Sequence, residues 1–152
     1  MRPVDRLILF LAQGIGVGRA PFAPGTFGTL LALPLVWALW QYNAWIYAMS
    51  AGGLILLAVW ISEHASRTLG SHDHPTIVID EIVGVVVAFA WVPTSVIALV
   101  VGFVIFRVFD IAKPPPIGYL DRRVKGGFGI VLDDVVAGVA TNLILQLVFR
   151  VM

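Results

Sequence analysis

The sequence predicts an all-α integral membrane helical bundle of about five short transmembrane helices plus an N-terminal interfacial helix, one domain over residues 1–152. Three observations predict it. Hydrophobic residues make up 59% of the chain and charged ones 12%, with a mean hydropathy of +0.95, well outside the range of water-soluble domains. Long stretches carry no charge at all: 20–62, 82–106 and 135–149. Finally, if residues 82–106 fold as a hairpin, every Asp, Glu, Lys and Arg except Arg150 falls on one side of the bundle. By the positive-inside rule that charged side faces the cytoplasm.

The chain opens on Met1–Arg6 and the apolar Leu7–Ala12, superficially a signal peptide. An aspartate interrupts its basic region and no small-x-small cleavage site follows, so the expectation is a retained helix at the interface. The first charge-free run is long enough for two spans, broken only by Gln41-Tyr42-Asn43. Helices are expected over about 26–40 and 44–61, with Trp37, Trp40, Tyr42, Trp45 and Tyr47 forming an aromatic belt around the break. These spans are short against the roughly 20 residues a bilayer core takes. A polar connection, 62–76, follows. Residues 82–106 are one kinked span or two short helices turning at Trp91–Ser95; Pro93 followed by Thr94 and Ser95 favours the turn. That hairpin returns Arg107 and Asp110 to the face that holds Asp80 and Glu81. A polar loop spans 110–134, with Lys113-Pro114-Pro115-Pro116 read as a stiff, extended exit, and the last helix covers about 130–149.

Net charge is +1, so there is no nucleic-acid footprint, and without cysteine there is neither a disulfide framework nor a thiolate nucleophile. The chemistry therefore rests on the acids. Val78-Ile79-Asp80-Glu81-Ile82-Val83 and Val131-Leu132-Asp133-Asp134-Val135-Val136 resemble each other, each with two carboxylates expected in the first turn of an apolar helix and a glycine soon after, Gly84 and Gly138. One aspartate is explained as a helix cap; two beside a charge-free helix are better explained as a functional site. Four such carboxylates brought together repel unless a cation lies between them, and an all-oxygen set suits a hard ion such as Mg²⁺. Arg107 and Asp110 share a helical face, as an ion pair or as a phosphate ligand and a further acid. Asp121-Arg122-Arg123-Val124-Lys125 attracts anionic headgroups or places Arg123 or Lys125 on a substrate; Asp121 either joins the metal site or pairs with its basic neighbours. His72-Asp73-His74 reads first as a solvated connector. Gly14–Arg19 is no dinucleotide fingerprint, since no strand precedes it. Thr26, after Pro24-Gly25, is an N-cap or part of a backbone anion nest.

Four separated motifs then carry a resemblance: GVGRAPFAPGTFGTL from Gly16, HDHPTIVIDEIVG from His72, FRVFDIAKPPPI from Phe106 and DRRVKGGFGIVLDDVVAG from Asp121. Together they resemble the phosphatidylglycerophosphatase A family of bacterial membrane lipid phosphatases, with small departures at Thr29 and Val131. The resemblance implies Mg²⁺-dependent removal of the terminal phosphate of phosphatidylglycerophosphate, giving phosphatidylglycerol and inorganic phosphate. It implies a multi-pass protein of the bacterial inner membrane whose active site faces the cytoplasm. On this reading Asp80, Asp110, Asp133 and Asp134 are catalytic. Asp80, Glu81, Asp133 and Asp134 hold the metal, and Thr26, Arg107, Lys113, Arg123 and Lys125 bind substrate. The partners are the phospholipid substrate and membrane lipids. Water and an aspartate both stay open as the attacking group. The alternative is a small divalent-cation transporter using intramembrane carboxylates, which needs its acids near midplane with access from both sides. A lipid alcohol-phosphate transferase fits the acid spacing poorly.

Overall fold

Helix ends fall where caps and breakers lie. A computed structural model describes residues 1–151, and its described residues form seven α-helices with no strand. After α1 (Pro3–Ala12), Pro24 sets the first helical position of α2 (Pro24–Leu39). The Asn43 side chain accepts from Ile46 N–H at 3.0 Å to start α3 (Ala44–Leu69), and left-handed Gly70 (φ 68°) ends it. The hairpin reading holds: α4 (Ile79–Ala88) stops early, and Ser95 Oγ accepts from Ala98 N–H at 3.4 Å to begin α5 (Val96–Ala112). Helices α6 (Ile117–Arg123) and α7 (Gly126–Val151) complete the chain.

Four expectations are corrected. The connection 62–76 is helical as far as Leu69, because Glu63 and Arg67 make an i,i+4 ion pair at 2.6 Å and no breaker intervenes before Gly70. Pro114–Pro116 do not run out extended; Ile117 N–H donates to Pro114 O at 2.8 Å, so the prolines turn straight into α6. Ala23, not Thr26, precedes the first helical residue of α2, so Thr26 is no N-cap. The glycines before Asp133 are not a loop but the opening turns of α7, which puts Asp133 and Asp134 beyond its first turn. A cap role for Asp134 is thereby excluded. That role falls to Glu63 of α3, whose Oε2 accepts from Gly127 N–H at 2.5 Å.

Two helices, α3 and α7, are long and apolar enough to cross a bilayer, and α2 is a shorter apolar helix of 16 residues. At 10 residues α4 reaches only about half-way through a hydrocarbon core. It ends inside the bundle, where its last carbonyls need partners. They get them from neighbouring side chains: Tyr47 Oη donates to Val86 O at 2.7 Å, and Asn142 Nδ2 to Ala88 O at 3.0 Å and Ala90 O at 2.8 Å. Trp40 Nε1 donates to Phe89 O at 3.2 Å and Gln146 Nε2 to Ala90 O at 3.0 Å.

The α4–α7 crossing is the most extensive in the fold. A Cβ on Gly84 would meet Asp134 O at 2.7 Å, and one on Gly138 would overlap Gly84 O. Only glycine lets the two backbones approach so closely. Since each glycine lies four residues after an acid, the crossing also brings Asp80 and Asp134 to one place. Outward, α5 and α7 present apolar rows: Ile97, Val100, Val104, Val108 and Ile111 on one, Val139, Leu143 and Leu147 on the other, all exposed. These rows and the apolar spans make the protein membrane-associated.

Candidate active site

Where α4, α5 and α7 meet the 70–77 loop, a cavity of about 350 Å³ gathers six carboxylates and two cations. The acids are Asp73, Asp80, Glu81, Asp110, Asp133 and Asp134; the cations are Arg107 and Lys113. Asp80 and Glu81 come from the first turn of α4, Asp133 and Asp134 from α7, and Arg107 and Asp110 from the last turns of α5. One oxygen each of Asp80, Glu81 and Asp134 lies within 4.8 Å of the others. Asp80, Asp133 and Asp134 are 6%, 5% and 3% exposed, so water screens them poorly.

The cations divide the acids between them. Arg107 Nη1 pairs with Asp110 Oδ2, stands 3.9 Å from Glu81 Oε1 and reaches Thr29 Oγ1 at 3.5 Å. Lys113 Nζ bridges Asp121 Oδ1 at 2.7 Å and Asp133 Oδ2 at 2.8 Å. Burial works to lower the Lys113 pKa, but the hydrogen bonds to Asp121 and Asp133 outweigh it and hold the ammonium above its ordinary range. Asp80 and Asp134 have neither cation. Buried without a hydrogen-bond partner are Asp80 Oδ1, Glu81 Oε2 and Arg107 Nε. Unpartnered oxygens in a tight all-oxygen cluster are what a hard divalent cation requires, so the residues fit such an ion.

The other sequence candidates lie outside this cavity. Thr26 is not in its wall, and its N–H is committed to Ala23 O at 3.0 Å. The Arg123 guanidinium stacks on Tyr119, 5.1 Å from the ring centroid. Lys125 lines a neighbouring cavity of about 290 Å³ with His72, Asp73, Asp121 and Arg122. His74 Nδ1 is engaged with Thr76 Oγ1 at 2.9 Å, and no histidine joins the acid cluster among the described residues. The glycine run ending at Arg19 packs as a turn: Arg19 Nε donates to Gln13 Oε1 at 2.7 Å, and Gln13 Nε2 to Thr76 Oγ1 at 3.2 Å.

Sequence reasoning missed Thr29 and Gly25. Thr29 is fully buried, its hydroxyl donating to Gly25 O at 2.9 Å while facing Arg107. Gly25 sits against the Glu81 carboxylate, where a Cβ would collide with Oε1. Nothing local distinguishes either from ordinary helix residues. Asp73 was visible only as part of a polar connector.

The fold and this cavity define a class: an all-helical, membrane-associated protein with a buried acidic site flanked by an arginine and a lysine. A model of the phosphatidylglycerophosphatase A family matches residues 10–149. The phosphatidylglycerophosphatase A of Escherichia coli (strain K12) is 41% identical over 140 residues, covering 91% of this chain and 81% of the relative. That of Haemophilus influenzae is 39% identical over 134 residues, covering 87% and 82%. The chain belongs to the phosphatidylglycerophosphatase A family and is a phosphatase. No solved structure matches it.

Proposed function

We propose that this chain hydrolyses the terminal phosphomonoester of phosphatidylglycerophosphate, yielding phosphatidylglycerol and inorganic phosphate, at the cavity between α4, α5 and α7. The observation that carries the reading is the convergence of Asp80, Glu81 and Asp134 within 4.8 Å, two of them with unpartnered buried oxygens, beside Arg107 and Lys113. Those three acids, with Asp133 next to them, would hold the metal, and the oxygen-only donor set favours Mg²⁺. Bound there, such an ion would supply Lewis-acid neutralisation of charge on the phosphate oxygens.

The chain's own residues do the rest. Arg107 offers its unpartnered Nε–H to a phosphate oxygen, and Asp110 fixes the guanidinium from the other side. Lys113 presents a permanent positive charge, positioned by Asp121 and Asp133. Hydrolysis breaks the bond between phosphorus and the glycerol oxygen and forms one to the oxygen of water, whose proton ends on the departing alcohol. Asp80, Asp110, Asp133 and Asp134 are the acids we assign to that chemistry. Thr26 and Arg123 are left out of the substrate site because of where they lie, and Lys125 belongs to the adjoining cavity.

The same reading takes residues 1–152 as one domain with α2, α3, α5 and α7 crossing or entering the bilayer, α4 as a half-span and α1 at the surface. The cavity then opens to the cytoplasm of a bacterial inner membrane, where the phosphorylated headgroup lies. Charge placement supports this: the connections at 41–43 and 91–95 carry none. Nothing favours the cation transporter, since membership of a phosphatase family speaks against it and the acids gather at one end of the bundle.

Purified protein given phosphatidylglycerophosphate should release inorganic phosphate with Mg²⁺ and stop when the ion is chelated. Release unaffected by chelation would overturn the metal assignment, and no release at all would overturn the substrate.

A further inference from the structure

The charged cavity does not end at its polar wall. Two of its lining residues, Arg107 and Ile111, also line a shallow, open groove of about 390 Å³ along the outer face of α5, completed by Phe103, Val104, Val108 and Ala112. No polar atom lines that groove, so Arg107 turns only its methylene stem to it while the guanidinium faces Glu81 and Asp110. Val104, Val108 and Ile111 are 53%, 57% and 71% exposed. From Phe103 to Ala112 the groove follows about 14 Å of helix, rising from bundle depth to the mouth of the cavity.

We propose that this groove holds an acyl chain of the lipid substrate while the phosphate lies among the carboxylates. The inference rests on the lipid-phosphatase reading and deepens it by assigning the apolar half of the substrate. It commits to α5 because of continuity. The other apolar cavity of similar size, about 360 Å³ between α1, α2, α3 and α4, shares no residue with the charged one. A single phospholipid bridges adjoining polar and apolar spaces, and of these two apolar spaces only the α5 groove adjoins. Arg107 stands at the junction, its guanidinium in the charged cavity and its stem on the groove, so headgroup and acyl chain would meet there. The groove thus makes discrimination for a membrane lipid a property of α5 rather than of the carboxylates.

The test uses the full chain in detergent micelles with phosphatidylglycerophosphate carrying a photoactivatable diazirine on one acyl chain, and the matching diacylglycerol, which lacks the whole headgroup, as its control. Phosphate release from the first probe checks the lipid-phosphatase reading separately; its absence in the wild-type protein overturns that reading and the groove with it. Given release, label from the phosphorylated probe should concentrate on residues 103–112, and the diacylglycerol should spread over the outer faces of α3, α5 and α7. Equal spread for both probes, or label concentrated on Leu54 and Leu57 in the wall of that second apolar cavity, overturns the groove. In parallel, Val108→Trp, which fills the groove while staying apolar, should raise KM for the long-chain substrate about fivefold or more with kcat nearly unchanged. Leu143→Trp, equally exposed on α7 but remote from the cavity, should match wild type. An unchanged KM in Val108→Trp, or the same rise in Leu143→Trp, contradicts the proposal.

Discussion

Asp80 and Asp134 are held within ion-binding reach with no cation side chain between them, which makes each a destabilising group until a divalent ion arrives. Removing one charge therefore has two opposite effects. Asp80→Asn or Asp134→Asn should lower kcat by about a hundredfold or more, and should raise Tm in chelator, because like charges no longer face each other. A turnover assay and a thermal melt on each variant check both, and near-normal turnover removes that residue from the site. Asp5 shows the opposite balance. Hydrogen bonds from the Arg2 and His64 side chains and the Arg2 backbone hold its carboxyl down at about 2, against an ordinary value of 3.8. Because the folded state favours the ionised form, this contribution is whole above the ordinary value and is lost as pH falls through about 2. The Tm gap between wild type and Asp5→Asn should accordingly be full near neutrality and shrink as pH falls from about 4 through about 2; a constant gap would deny Asp5 this role. The acid pairs themselves were legible in the sequence because charge stands out against an apolar helix. The candidates for holding a substrate were less so. Arg107 and Lys113 reach the cavity while Arg123 and Thr26 do not, and which way a side chain leaves a short helix or turn depends on packing that no local pattern records.

For the elements, the decisive contact is glycine on glycine where α4 crosses α7. Gly138→Ala would press a methyl group onto Gly84 O, so the helices must separate and the acids above them lose register. We expect a cost of about 1–3 kcal/mol together with a loss of metal-dependent activity. Gly52→Ala and Gly53→Ala on α3, where an added Cβ meets nothing within 4 Å, should instead be neutral or stabilising by up to about 1 kcal/mol. Chemical or thermal unfolding of the three variants checks the ranking, and equal effects would remove the crossing from the account. The sequence foretold the hairpin, through Pro93 and the Ser95 cap, and the role of Gly84 and Gly138. It misled on the ends of α3 and α7. Polar residues after Ile61 read as a connection although nothing there breaks a helix, and three glycines read as a loop although Glu63 caps them from another helix. The second error has a tertiary cause: a cap supplied from another helix decides what weak local preferences leave undecided.

Across the whole molecule, charge apart from Arg150 gathers toward one end, and Arg150 itself donates to Trp91 O at 2.9 Å. On the proposed reading that asymmetry sets the orientation, with the charged end cytoplasmic. The natural sequence has no cysteine, so single reporters are clean. Ser71→Cys should react with an impermeant maleimide only from the cytoplasmic face, and Thr94→Cys only from the opposite one. The reverse pattern would turn the cavity away from its substrate.

One measurement bears most directly on whether α4 and α7 share an ion. Calorimetric titration of the chelator-treated protein with Mn²⁺, a divalent cation that suits the same oxygen ligands as Mg²⁺, needs no substrate and no turnover. The wild type should bind, and Asp80→Asn on α4 and Asp134→Asn on α7 should each weaken binding by about tenfold to a hundredfold. Wild-type affinity in either variant would mean that the two helices do not hold a common ion.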